Sequence, residues 1–150
     1  MNYRHHFHAG NCADVVTLGL LLGLFESLAR KDTPYCYIDT HAGCGLYDLG
    51  AGAAQKTLEF KSGLSRVKDA DKAQAPAWVT RYLESVAALG REREGFWYPG
   101  SPWLALHSMR PQDRAQLMEL HPDDAGTLKK FMSRNSNVSI HMRDAYEGLT

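Results

Sequence analysis

Ile38-Asp39-Thr40-His41-Ala42-Gly43-Cys44-Gly45 is the stretch on which the fold turns, an acid that closes a short β-type run and then a Gly-x-Gly turn. Tyr35-Cys36-Tyr37-Ile38 is aromatic and β-branched and is bounded by Pro34 and the glycine-rich loop, so residues 35–39 read as a buried strand. The glycines permit a sharp turn and close backbone approach, and an acid at the carboxyl end of a strand offers acceptors to a nucleotide or nucleoside. A dinucleotide-binding unit calls for a third glycine and an acid about 20 residues on. Here Asp48 stands three residues after Gly45, and the next acid at a strand end, Glu119, comes only after a long helical segment. The pattern therefore favours an adenosine cofactor without a pyrophosphate, of which S-adenosyl-L-methionine is the common one, over a nicotinamide dinucleotide.

Working outward, Asn11 is a helix N-cap with Asp14 three residues on, and apolar positions run from Val15 to Ala29 before Arg30, Lys31 and Pro34 end the helix. Gly19 and Gly23 each cost about 1 kcal/mol in a helix interior, which implies close packing against another backbone. Leu58, Phe60, Leu64 and Val67, then Trp78, Tyr82, Leu83, Val86 and Leu89, recur at helical spacing and predict two or three helices between residues 53 and 90. Ser101 reads as N-cap and Pro102 as first residue of a short helix. Residues 114–119 form a second strand ending in Glu119, His121 opens a helix through Phe131, and residues 137–141 form a third strand. Strands alternating with helices predict an α/β fold, a parallel sheet with helical crossovers. Asp39, Glu119 and Asp144 then follow successive strands. Glu119 can accept from both ribose hydroxyls, and Asp144 can accept from an adenine amine.

A chain of 150 residues buries about 68–70% of its unfolded surface. With 44% hydrophobic and 23% charged residues it has an ordinary globular composition. Lys plus Arg equals Asp plus Glu at 17 each, so nucleic-acid binding must come from local patches. The apolar run from Leu18 to Phe25 is well short of the roughly 20 residues of a membrane span. The N-terminus has no secretory pattern, so no membrane partner and a cytoplasmic location are expected. Cys12, Cys36 and Cys44 have no Cys-x-x-Cys spacing and read as reduced, mostly buried thiols, Cys44 as a space filler. His5, His6 and His8 are too close in sequence to converge on a metal, so none is expected. With Tyr3, Arg4 and Phe7 they suggest a flexible arm that stacks on bases and contacts phosphates of single-stranded nucleic acid.

Tyr3-Arg4-His5-His6-Phe7-His8-Ala9-Gly10-Asn11, Ala13-Asp14, Asp39-Thr40-His41-Ala42-Gly43, Lys56-Thr57, Glu59-Phe60, Tyr98-Pro99-Gly100-Ser101-Pro102 and Glu119-Leu120-His121-Pro122 together resemble the RlmJ family of bacterial methyltransferases, which act on an adenine of large-subunit ribosomal RNA. The resemblance implies a Rossmann-like S-adenosylmethionine-dependent methyltransferase fold, truncated here after about three strands. Residues 1–47 would hold the arm, first helix, first strand and cofactor loop. Residues 48–97 would be an inserted helical subdomain, and 98–150 would continue the methyltransferase domain. It also implies methyl transfer to the exocyclic amine of adenine in a protein-free, single-stranded or hairpin region of that RNA. By position, His41, Ser101, Glu119, Asp144 and Ala145 match the family's cofactor-contacting sites, and Tyr3 matches a residue facing the RNA. Ser101, at a helix start, would meet the methionine carboxylate of the cofactor.

Three departures stand out. The family's Asp-Val-x-Lys-His run is Asp14-Val15-Val16-Thr17-Leu18 here, so Leu18 replaces a His that touches cofactor, and Cys12 stands at a position often His or aromatic. The family's catalytic Asp-Pro-Pro-Tyr does not occur among the six prolines. That implies that no catalytic residue lies in these 150 residues, that the catalytic acid is to be expected beyond Thr150, and that the 150 residues alone do not transfer methyl. The rival reading, also suggested by the family, is a nucleic-acid-handling protein linked to catabolism of external DNA.

Overall fold

The structure, a computed structural model, describes residues 4–70 and 74–149. Its elements are α1 (Cys12–Ala29), β1 (Cys36–Asp39), β2 (Leu46–Asp48), α2 (Gly52–Thr57), α3 (Leu64–Asp69), α4 (Ala77–Glu92), β3 (Trp97–Pro99), α5 (Ser101–Ser108), β4 (Arg114–Met118), α6 (Pro122–Met132), β5 (Val138–His141) and α7 (Ala145–Gly148). They form two compact units. One joins the residues up to Leu24 with Leu46–Pro99, and the other joins Phe25–Gly45 with the residues from Gly100 on.

The second unit carries the expected parallel sheet, ordered β1-β4-β5. Tyr37 pairs with Ala115 and Asp39 with Leu117, while Ala115 pairs with Val138 and Leu117 with Ile140. Because side chains alternate along a strand, these residues share one face. Ala115, Leu117, Leu128 and Met132 are at most 3% exposed there, with Tyr37, Phe131, Val138 and Ile140 packed around them. The opposite face carries Cys36, Ile38, Arg114, Gln116 and Ser139, all exposed. The first strand is therefore not the buried strand its composition predicted. As an edge strand it hides only Asp39 fully, and Ile38 keeps 47% of its surface. At the start of the sheet, fully buried Asp113 accepts from the Arg110 Nε and Nη2 at 2.9 Å each, the Arg110 N–H at 2.8 Å and the Tyr35 N–H at 3.2 Å. The Arg110 guanidinium, helped by those two backbone N–H groups, holds its carboxyl down at about 2.

The first unit contains a two-stranded antiparallel ribbon, β2 with β3, that is not among the elements predicted from the sequence. Tyr98 on β3 and Tyr82 on α4 are both 0% exposed and share a hydroxyl–hydroxyl bond of 2.9 Å. Desolvation pushes both phenols up. Gly63 makes a close approach, since a Cβ there would lie 2.3 Å from the Gly10 carbonyl oxygen, the same oxygen that accepts from the Leu64 N–H at 2.9 Å.

The first helix begins as expected, with the Asn11 Oδ1 accepting from the Asp14 N–H at 2.9 Å. Its glycines behave otherwise. Gly19 faces the Trp78 indole, which an added Cβ would meet at 2.5 Å, whereas Gly23 has nothing within 4 Å. Cys12 and Cys36 are exposed and only Cys44 is buried, which corrects the expectation of mostly buried thiols. The count of contiguous apolar residues also understated this helix. Its 18 residues have a mean hydropathy of 1.7, long and apolar enough by length and composition alone to cross a membrane.

Candidate functional site

The carboxyl ends of β1 and β4 are joined through their loops. Asp39 ends β1, is 9% exposed, and collects three donors. Its Oδ2 accepts from the Tyr37 hydroxyl at 2.8 Å and the Ser101 hydroxyl at 2.6 Å, and its Oδ1 accepts from the His41 N–H at 3.1 Å. Burial, then the adjacent Asp39 charge, pushes the Tyr37 phenol up from its ordinary value. This acid thus fixes the start of the 40–45 loop and the start of α5 together.

Glu119 does the same from β4. Its Oε2 accepts from the Gly43 N–H at 2.8 Å and its Oε1 from the His121 N–H at 2.7 Å. The Ala42 N–H donates to the Met118 carbonyl at 2.9 Å, so the loop continues the sheet pairing for one more residue. Gly43 and Gly45 have φ of 62° and 84°, the left-handed region that favours glycine. A Cβ on Gly45 would meet Leu128 and Phe131 at 3.0 Å, and the Gly45 carbonyl accepts from the Gly100 N–H at 2.9 Å. The turn does not open a helix, as it would in a dinucleotide fold. It leads into β2, and the crossover helix α5 begins only at Ser101.

Five of the residues singled out from sequence therefore fall in two hydrogen-bonded sets that meet in the 39–43 loop: Gly43 with Glu119, and His41 with Ser101 through Asp39. The His41 side chain is exposed, with its Nδ1 2.9 Å from the Thr40 hydroxyl. Asp144 and Ala145 lie beyond the adjacent strand, where the Glu119 N–H reaches the His141 carbonyl at 3.0 Å. Asp144 caps α7, its Oδ1 accepting from the Tyr146 N–H at 2.8 Å, and Ala145 is 7% exposed. No direct bond joins Asp144 to Glu119 among those described. Tyr3, expected to face RNA, and Thr150, past which the catalytic acid was expected, both lie outside the described residues.

Ser101 departs from its expected local role. It is the first residue of α5, the N-cap is Gly100 with no side-chain capping bond, and the Ser101 hydroxyl is directed at Asp39. A hydroxyl that donates to a buried carboxylate makes a short, charge-assisted bond. Asp39 itself was read only as a strand-end acid, because its partner Ser101 is 62 residues away in sequence and no local pattern pairs them.

The amino-terminal histidines are ordered by carboxylates of the first unit. His5–Phe7 form a 3-10 turn, where a flexible arm was expected. The His5 Nε2 is 2.9 Å from Asp14, the His8 Nδ1 is 2.8 Å from Glu59, and the Asn11 amide donates to the same Glu59 at 3.1 Å. The Asn11 amide, with His8, holds the Glu59 carboxyl below its usual range. No group of three metal-ligating side chains occurs among the described residues. Leu18 is 7% exposed and belongs to the core of this unit.

The family model described as ribosomal RNA large subunit methyltransferase D, RlmJ, matches residues 32–150. The chain is similar to ribosomal RNA large subunit methyltransferase J of Escherichia coli (strain K12), with 39% identity over 149 residues, 99% of this chain and 52% of that protein. It is similar to the protein of the same name from Haemophilus influenzae, with 37% identity over 150 residues, 98% of this chain and 52% of that protein. A crystal structure of protein LPL1258 from Legionella pneumophila superposes with a TM-score of 0.81 at 35% identity, over 95% of this chain and 51% of that one. The chain spans about half the length of the curated relatives it matches.

Proposed function

The chain belongs to the RlmJ family of ribosomal RNA large subunit methyltransferases, and from that premise we propose that the second unit holds S-adenosyl-L-methionine at the carboxyl ends of β1, β4 and β5. The protein it represents would transfer the methyl group to the exocyclic amine of an adenine in large-subunit ribosomal RNA, in the cytoplasm. The parallel α/β sheet is consistent with a methyltransferase-like fold. We read it as the Rossmann-like form, with residues 48–97 as an inserted helical subdomain. The relatives' names favour ribosomal RNA methylation over a role in the use of external DNA.

The observation that carries this reading is the bridge from Glu119 to Gly43. A carboxylate at the end of the central strand holds the glycine turn by one backbone N–H. Each carboxylate oxygen has lone-pair capacity beyond the one N–H it accepts, which suits the two hydroxyls of a ribose. Gly43, without a side chain, lets a ligand approach the backbone there. The donor set fits an adenosine group. Glu119 would take the ribose, Asp144 and buried Ala145 the adenine, and the backbone at the start of α5 with Ser101 the methionine part. His41 would border it from the loop, and Asp39 would hold His41 and Ser101 in place. When bound, the cofactor supplies an electrophilic methyl on its sulfonium.

The residues of this chain bind and orient. The family's Asp-Pro-Pro-Tyr, which would accept from the target amine, is not among them, and its acid is proposed to follow Thr150 in the whole protein. Without a group holding that amine at the roughly 3–3.5 Å of a near-attack geometry, methyl transfer is not expected from these 150 residues alone. Tyr3 is proposed to face the RNA. The test is calorimetric titration of the chain with S-adenosylhomocysteine, the demethylated product, and separately with a nicotinamide dinucleotide. Saturable binding of the first alone is expected. Binding of the dinucleotide instead, or of neither, would overturn the assignment.

A further inference from the structure

Residues 93–97 of the first unit turn the chain from the end of α4 into β3, and the turn displays two consecutive aromatic residues. Phe96 is 37% exposed and Trp97 is partly buried. The turn depends on glycine: Gly95 has a φ of 113°, and a Cβ there would stand 3.1 Å from the Trp97 Nε1. The indole N–H donates to the Glu94 carbonyl at 2.8 Å, which fixes the ring against its own turn. Phe96 stands edge-on to buried Phe60, with ring centroids 5.3 Å apart. Its carbonyl accepts from the Leu49 N–H at 2.7 Å, so the pairing of β2 with β3 reaches back to Phe96.

Each ring carries a cation. The Arg93 Cζ lies 4.4 Å from the Trp97 ring centroid, and the Lys68 Nζ, from α3, lies 5.5 Å from that of Phe96. Significant pairs of this kind occur about once in 70–80 residues, whereas here two stand on neighbouring rings. Unpaired nucleic acid is held by this combination, in which rings offer a face to bases and adjacent cations meet phosphates. Successive residues of an extended chain project to opposite sides. The two rings therefore straddle the start of β3, and bases resting on them would be splayed apart, as a duplex does not allow. Glu92, Glu94 and Asp69 adjoin the cations in sequence, so a long run of phosphates is disfavoured and one or two are accommodated.

We propose that the Arg93–Trp97 and Lys68–Phe96 pairs are a binding surface for two neighbouring unpaired bases of an RNA strand. The inference rests on the proposed function in taking that RNA to be the substrate. It assigns the contact to residues other than those proposed to hold the cofactor. A second copy of this chain fits less well, since the same two cations would face each other.

The test is fluorescence anisotropy of a short, unstructured, dye-labelled RNA titrated with the chain, beside the same RNA annealed to its complement. Saturable binding of the single strand is expected, with the duplex at least tenfold weaker. With two phosphates engaged, affinity should fall about sevenfold between 50 and 200 mM salt. Trp97→Leu, and Arg93→Gln with Lys68→Gln, should each weaken single-strand binding at least tenfold, whereas Trp97→Tyr should retain it within about threefold. Lys130→Gln removes an exposed charge from α6 and should leave the affinity unchanged. No binding by the unaltered chain, equal affinity for the duplex, or a tyrosine variant as weak as the leucine variant would overturn the proposal. So would an equal loss from Lys130→Gln. Self-association in light scattering that Trp97→Leu abolishes, with RNA affinity intact, would overturn it too, since the surface would then serve a second copy. S-adenosylhomocysteine binding should be the same in every variant, so a failed cofactor titration and a failed RNA titration are separate results.

Discussion

Replacing Asp39 by Ala removes the acceptor for three donors at once, the Tyr37 hydroxyl, the Ser101 hydroxyl and the His41 N–H. At a site only 9% exposed, each bond to a charged acceptor contributes about 1.5–3 kcal/mol, and partial rescue by water brings the yield nearer 1 kcal/mol per bond. The expected loss in urea unfolding is therefore about 3 kcal/mol, read as a lower midpoint at unchanged slope. Asp39→Asn should lose only about 1 kcal/mol, because its carbonyl still accepts and the two hydroxyls can rotate to meet its amide. A second readout is specific to the arrangement. With the Asp39 charge gone, ultraviolet titration should show the Tyr37 phenol moving back down toward its ordinary value. A loss below about 1 kcal/mol for the alanine variant, or equal losses for Ala and Asn, would refute the idea that this carboxylate organises the loop and the start of α5.

Gly45→Ala forces a side chain onto a φ of 84° and places its Cβ 3.0 Å from Leu128 and Phe131. The left-handed backbone and the overpacking together should cost about 2–3 kcal/mol, measurable as a fall in thermal midpoint. Acid should weaken the second unit through Asp113. Its carboxyl lies at about 2 in the folded chain, against 3.8 for an ordinary aspartate, so its contribution is present above about pH 4 and is lost as pH falls through about 2. Asp113→Asn should be about 2 kcal/mol less stable at pH 7 and should show a flatter decline between pH 4 and 2 in urea melts. Glu119→Gln replaces one of two acceptor oxygens with a donor facing a backbone N–H, and should weaken S-adenosylhomocysteine binding by at least tenfold in calorimetry.

The parallel sheet was legible in the sequence because each strand ends at a marker that tolerates little else. Asp39 precedes glycines, Glu119 precedes His121-Pro122, and residues 137–141 alternate cleanly. The crossover helices were legible from Pro102 and Pro122 at their first turns. The β2–β3 ribbon was not, since each strand has three residues, too few to display a period. One of them ends in Pro99, and the partners are some fifty residues apart in sequence. The exposure of β1 was missed for a related reason: composition reports β-propensity, whereas edge position depends on which strands flank it. At the site, Glu119 and the glycine turn were readable from local spacing. The Asp39–Ser101 bond was not, because the two residues are 62 apart in sequence and no local pattern pairs them.

The central claim is that the loop after β1, the start of α5 and the ends of β4 and β5 form one adenosine-sized site. Backbone amide shifts of the isotope-labelled chain, followed while S-adenosylhomocysteine is added, test it residue by residue. The largest changes are expected at His41, Gly43, Ser101, Glu119 and Ala145, all with the same saturation curve. Changes centred instead on the groove lined by Val67, Leu83 and Ala87, or curves that differ between the strand ends, would contradict it.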